Sequence, residues 1–307
     1  MASSVNTSVN HPYIPSTDSE RAEMLDVIGV DSLDGLLGDI PVEHRHPDLN
    51  LDAGLSEQEL STVFGSIAAE NASASAGYIS FLGAGSYSHY IPSTVRSILQ
   101  RGEFVTAYTP YQPEAAQGTL QVGFEFQTVI CQLTGMEVAN AGMYDGPTAF
   151  AEACLMASRV TKRTKIGVLS TSDQRLPNTL LAYSMYQGID IVEISPDATE
   201  IPDDIACIGV QSPNFFGEIE DVERLTNLAH ANGALSVVHV NPTALGMFKA
   251  PGEFDVDIVT AEGQPLGVPM AFGGPYVGLF ACKKAHIRQM PGRIIGRTTD
   301  TKGRTGY

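Results

Sequence analysis

D-I-V-T-A-E-G-Q-P-L-G-V-P-M-A-F-G-G-P-Y-V-G, running from Asp257 to Gly278, reads as a buried strand that empties into a loop punctuated by glycine and proline. Ile258–Ala261 is a short run rich in β-branched residues, the composition of a strand covered on both faces. The loop after it is built like the rim of an active site, with the amide of Gln264 near its mouth and no nucleophile. Upstream, four more such runs precede it: Lys165–Ser170, Ile189–Ile194, Cys207–Gln211 and Leu235–Val240. Between most of them lie helical or turn patterns. Pro147–Val160, Pro177–Gln187 and Ile219–Asn232 have helical character, the latter two ending near Gly188 and Gly233. Strands alternating with helices predict an α/β fold with a mostly parallel sheet.

Further upstream a long helix is expected around Glu114–Leu133, with Gly135 as its terminator. Thr17-x-x-Glu20 and Ser56-x-x-Glu59 read as capping boxes. The second precedes Leu60, Val63, Phe64 and Ile67, an apolar stripe at helical spacing. The expected organisation is a disordered tail over 1–12, a helical arm over 13–76 and a large α/β domain over 77–307.

At 307 residues and 43% hydrophobic content the chain can fill a substantial core. Its formal net charge of −17 repels nucleic acid and anionic membrane. The polar start lacks a secretion signal, and no apolar run approaches the ~20 residues of a membrane helix. A soluble cytoplasmic protein is therefore expected. Cys131, Cys154, Cys207 and Cys282 are widely spaced among apolar neighbours, which suits buried thiols rather than a metal or redox pair.

The densest polar cluster is F-L-G-A-G-S-Y-S-H-Y-I-P, Phe81 to Pro92, followed by A-Y-T-P-Y-Q-P-E, Ala107 to Glu114. Tyr78, Tyr87, Tyr90, Tyr108 and Tyr111 place five of the chain's 11 tyrosines in 34 residues, where an even spread would place about one. Phenols demand a partner when buried, so Tyr87, Tyr90, Tyr108 and Tyr111, with Ser86, His89 and Thr109, suit a wall around a polar small molecule or another subunit's site. His89 by itself is no general base. A second feature, N-A-G-M-Y-D-G-P-T-A-F-A-E-A from Asn140 to Ala153, is a turn feeding a helix. Gly146 and Thr148 there could cradle a phosphate, although Pro147 removes one donor and the turn is first of all an ordinary helix start. None of the six lysines has the desolvated setting of a Schiff-base lysine, and Arg96, Arg101 and Arg175 could serve a substrate carboxylate but read first as surface residues in salt bridges.

The stretch E-G-Q-P-L-G-V-P-M-A-F-G-G-P-Y-V-G resembles the signature of the first subunit of the glycine cleavage system P-protein family, and the tyrosine-rich motifs resemble theirs. The resemblance covers about Tyr13 to Tyr307. It implies a pyridoxal phosphate (PLP)-dependent transferase-like large domain of fold type I, preceded by the helical arm. Such proteins continue into a smaller C-terminal domain, so the chain is expected to be truncated. It implies a subunit of a glycine dehydrogenase (decarboxylating), inactive alone, whose PLP is anchored by a lysine of subunit 2. Glycine loses CO2 there and its aminomethyl group passes to the lipoyl group of H-protein. Gln264 lies in the region where the partner has its lysine, and an amide cannot form a Schiff base. Asn241 stands where catalytic relatives carry a carboxylate for the pyridinium nitrogen. Gly146, Thr148, Asn241 and Gln264 thus form a candidate vestigial cofactor site, and no metal is expected. The alternative is a catalytically silent interaction or regulatory protein with a retained PLP-enzyme fold; a stand-alone transferase with an unrecognised lysine ranks last.

Overall fold

The computed structural model describes residues 13, 15–72, 77–105, 108–274 and 276–307. The expected tail over 1–12 and the end of the expected arm at 73–76 lie outside the described residues. The chain divides into two compact units, Met1–Ile79 and Ser80–Tyr307.

The first unit is helical. Helix α1 (Asp18–Ile28) begins on a capping box in which Glu20 accepts the Thr17 N–H at 2.7 Å, and it ends on Gly29 in the left-handed region. Helix α2 (Glu57–Ala69) starts on the Ser56–Glu59 box. Both boxes predicted from the sequence therefore form. The apolar stripe of α2 is also present, but Leu60, Val63, Phe64 and Ile67 are all exposed.

The second unit holds α3 (Ser93–Leu99), α4 (Gly102–Val105) and the long α5 (Pro113–Thr134), which kinks at Ala116 and ends on Gly135 at φ 71°. After β1 (Val138–Ala139) come α6 (Gly146–Thr161), β2 (Lys165–Leu169), α7 (Arg175–Ser184), β3 (Asp190–Ile194), β4 (Ile205–Ser212), α8 (Val222–Ala231), β5 (Leu235–Val240), β6 (Ile258–Glu262) and β7 (Gly278–Cys282). A small hairpin, β8 (Thr298–Thr299) with β9 (Thr305–Gly306), follows. The main sheet has seven strands in the order β1-β7-β6-β5-β4-β2-β3. Strands β2 to β6 pair in parallel, and β7 is antiparallel to both β6 and β1. The α/β architecture with a mostly parallel sheet is thus the one expected.

Alternation along the strands fills two cores. Val238, Val240, Val259, Ala261, Leu279 and Ala281 point to one face, where α5 and α8 contribute Ile130 and Leu225. Val237, Ile258, Phe280 and Cys282 point to the other, against Phe150, Met156 and Leu180 of α6 and α7. Side chains of successive strand residues leave on opposite sides, so each strand serves both cores and reads as continuously apolar. The four cysteines are free thiols, three of them buried. Among the described residues no helix is long and apolar enough to cross a membrane.

Candidate functional site

Strand β2 has β3 on one side and β4 on the other, so the chain reverses direction across the sheet between β2 and β4. Loops leaving the carboxyl ends of such strands diverge and open a crevice. A cleft of about 450 Å³ lies there, bordered by residues that follow β2, β4, β5 and β6, by the start of α6 and by the loop at 84–87.

Each border is locally determined. Beyond β2, the Asp173 N–H donates to Gln211 Oε1 at 2.7 Å, and the Arg175 guanidinium grips the Asp173 carboxylate, with Nε 3.0 Å from Oδ1. Burial pushes the Asp173 carboxyl up, but hydrogen bonds from the Arg175 side chain and backbone outweigh it and hold the group below its ordinary range. After β4, Asn214 Oδ1 accepts the N–H groups of Phe216 and Glu218, each at 3.0 Å, and its amide donates to Glu220 at 2.7 Å. On β5, His239 is 7% exposed, its Nδ1 lies 3.0 Å from Thr260 Oγ1, and its ring meets Phe150 edge-on. Burial strips the imidazolium of hydration and lowers the His239 pKa to about 4.

The end of β6 organises the remaining wall. Glu262 accepts the N–H of Gly146 at 2.8 Å and of Gln264 at 2.9 Å, while burial raises its carboxyl above the usual range. A Cβ on Gly146 would stand 2.9 Å from Glu262 Cβ and 3.0 Å from His239 Cε1, so only glycine lets the helix start lie this close to the strand ends. Gln264 is 2% exposed and spends its whole amide on backbone: Oε1 accepts the Tyr87 N–H at 2.9 Å, and Nε2 donates to Tyr87 O at 2.9 Å and Val268 O at 2.8 Å. Tyr276 adds a hydroxyl bond to Ser86 at 3.0 Å. These ties hold a loop whose residues Gly83, Ala84 and Gly85 all have positive φ, at 55°, 56° and 87°. For Ala84 that conformation is strained.

The residues singled out in the sequence divide between two places. Ser86, Tyr87, Gln264 and Asn241 belong to the cleft or its walls. Asn241 folds its Oδ1 back onto the Thr243 N–H and hydroxyl, at 3.1 and 2.7 Å. Tyr108 and Thr109 border a separate groove of about 870 Å³ alongside α5. Tyr90, Tyr108 and Tyr111 are strongly exposed, and the Arg293 guanidinium lies 4.4 Å over the Tyr111 ring. His89 is also exposed, with its ring tilted beside Tyr87.

Gly146 and Thr148 are at the start of α6, but their N–H groups already serve Glu262 and the capping carboxylate of Asp145, the latter at 2.8 Å. A phosphate here would meet two carboxylates instead of free donors. No lysine borders the cleft among the described residues; Lys283, for example, pairs with Asp255 and Asp257. The residues present therefore do not fit PLP.

Asp173, Gln211, His239 and Glu262 were missed in the sequence, and Arg175 was read as a surface residue. Their signal was position: each stands at or just beyond the carboxyl end of a strand that the periodicity had already marked. Glu262 even lies inside the Asp257–Gly278 motif, two residues before Gln264.

Residues 11–307 match the family model described as glycine cleavage system P-protein. The chain is 50% identical to the probable glycine dehydrogenase (decarboxylating) subunit 1 of Desulforamulus reducens, over 96% of this chain and 68% of that protein. It is 47% identical to the protein of the same description from Geobacillus thermodenitrificans, over 97% and 68%. A crystal structure of glycine decarboxylase (P-protein) of the glycine cleavage system in inhibitor-bound form superposes with a TM-score of 0.88 at 41% identity, over 96% of this chain and 68% of that one. With a PLP-transferase-like fold and a match along almost its whole length, the chain belongs to the glycine cleavage system P-protein family.

Proposed function

We infer that the chain is the half of a two-subunit glycine dehydrogenase (decarboxylating) that does not anchor the cofactor. A lysine-bearing subunit 2 holds PLP, which supplies the electron sink for decarboxylation of glycine. The assembly then delivers the aminomethyl group to the lipoyl arm of H-protein in the cytoplasm. In this reading the arm over 13–76 and the large domain over 77–307 serve assembly, and the tyrosine-rich loops close the partner's pocket.

The observation that carries the reading is the use made of Gln264. A side chain in that region that anchored a cofactor would face open space, whereas this amide is fully engaged in holding the backbone of Tyr87 and Val268. The loop so held leads to Tyr90, which with Tyr108 is at least nine-tenths exposed. Rigid amphipathic rings of this kind suit a surface covered by another chain, where the ring is buried and the hydroxyl finds a partner. Exclusion of water there strengthens hydrogen bonds to developing charge.

The test is reconstitution with the lysine-bearing subunit and a glycine–bicarbonate exchange assay. The isolated chain is expected to be inactive and colourless with PLP, and activity to appear on mixing. Replacing Tyr90 and Tyr108 together by Phe should lower exchange at least tenfold with assembly intact. A silent scaffold would lose nothing when two hydroxyls are removed, so unchanged turnover refutes the reading.

A further inference from the structure

The cleft at the strand ends keeps polar equipment for which the role proposed above has no use. His239 is more than nine-tenths buried, and its Nδ1 is taken by Thr260. Among the described residues no hydrogen bond reaches its Nε2. In the tautomer whose Nδ1 donates to the Thr260 hydroxyl, Nε2 carries a lone pair and accepts. The low pKa of about 4 keeps the ring neutral at pH 7.

Asp145 lines the same cleft; its Oδ1 caps Thr148 and its Oδ2 has no hydrogen-bond partner among the described residues. The Asp173–Arg175 pair lines it too, engaging Nε and Nη2 of the guanidinium and leaving Nη1 without a hydrogen bond among the described residues. Gln211 gives its Oε1 to Asp173 and keeps Nε2. The charges of Asp145, Asp173 and Arg175 all act on the imidazole. Acceptors and donors that the fold leaves unspent thus border the same cleft. With Glu262 included, the cleft has three carboxylates against one guanidinium, which disfavours phosphate and any ligand of net negative charge.

We propose that this cleft binds a free α-amino acid as a zwitterion, without covalent chemistry, at a site separate from the cofactor pocket of the partner subunit. The ligand ammonium donates to Asp145 Oδ2 and His239 Nε2, and its carboxylate accepts from Arg175 Nη1 and Gln211 Nε2. The volume leaves room for a side chain, with Tyr87 and Tyr276 as the wall it meets. Linking both charges in one molecule makes the second contact intramolecular, so the zwitterion binds more tightly than either half alone.

Titration calorimetry on the full chain, with no partner subunit present, tests this apart from the reconstitution above. The probes are glycine, L-serine, methylammonium, acetate and inorganic phosphate. One of the amino acids is expected to bind at least tenfold more tightly than methylammonium or acetate, with no competition from phosphate. Asp145→Asn keeps a side chain that caps the helix but removes the charge, and should weaken binding at least tenfold. Arg175→Lys keeps the charge and loses the fork, and should weaken it at least threefold. Circular dichroism confirms that each variant is folded. Failure of both amino acids to bind the folded wild-type chain, affinity unchanged in Asp145→Asn, or displacement by phosphate overturns the proposal.

Discussion

Replacing Gln264 by Glu changes one nitrogen to oxygen and nothing in shape. The side chain keeps its acceptor for the Tyr87 N–H but loses both donor bonds, to Tyr87 O and Val268 O at 2.9 and 2.8 Å. Each of the two carbonyls that loses its donor costs about 1–2 kcal/mol where water replaces that donor in part. The new carboxylate also sits beside Glu262, whose Oε1 accepts the residue's own N–H. The sum is about 2–4 kcal/mol at neutral pH, spent on the loop at 83–87, so opening of that loop becomes roughly 30- to 700-fold more frequent.

Hydrogen exchange at the Tyr87 amide reads this directly. Burial and a neighbouring carboxylate raise the folded-state pKa of the introduced Glu above its unfolded value of about 4.3. The variant therefore loses least stability below about pH 4.3 and progressively more as pH rises through the folded value. Acidification should restore part of the protection. Exchange at Tyr87 within threefold of wild type, in a variant whose melting temperature has fallen, would show that Gln264 supports the core and not the tyrosine loop.

Gly278→Ala would place a Cβ 2.2 Å from the Asp145 carbonyl oxygen; backbone cannot yield as a side chain tip does, so a loss of about 3 kcal/mol is expected, seen as a melting temperature lower by about 6–12 °C. A shift below 1 °C would refute the close approach. His239 makes stability pH-dependent: its folded pKa of about 4 lies below the unfolded 6.5, so the unfolded chain binds the proton first and stability falls as pH drops from about 6.5 to about 4. The loss is about 3 kcal/mol. Urea denaturation across that range should show it, and His239→Phe should flatten the slope; an equal slope in the variant assigns the acid sensitivity elsewhere.

Reading outward from Asp257–Gly278 was enough to recover the parallel strands and the order of elements, because those signals are local. A capping box such as Ser56–Glu59 closes within four residues, and a strand buried on both faces shows itself as an unbroken apolar run such as Leu235–Val240. Helix ends were less legible: α7 runs Arg175–Ser184 where Pro177–Gln187 was expected, since its start is set by the Asp173 carboxylate accepting the Arg175 N–H at 2.9 Å.

The role of Gln264 was half legible. Its chemical incapacity as a Schiff-base former follows from its identity, but its engagement with Tyr87 joins residues 177 apart in sequence. The cleft is of the same kind. Asp145, Arg175, Gln211, His239 and Glu262 come from five separate strand or helix ends, and no periodicity links them. By itself the sequence determined the layers, the family and the absence of an anchoring lysine near the loop. Only the parallel stacking of the strands, which brings their carboxyl ends to one edge of the sheet, decided that these scattered polar groups line one cleft and that the helix start beside them is occupied by carboxylates.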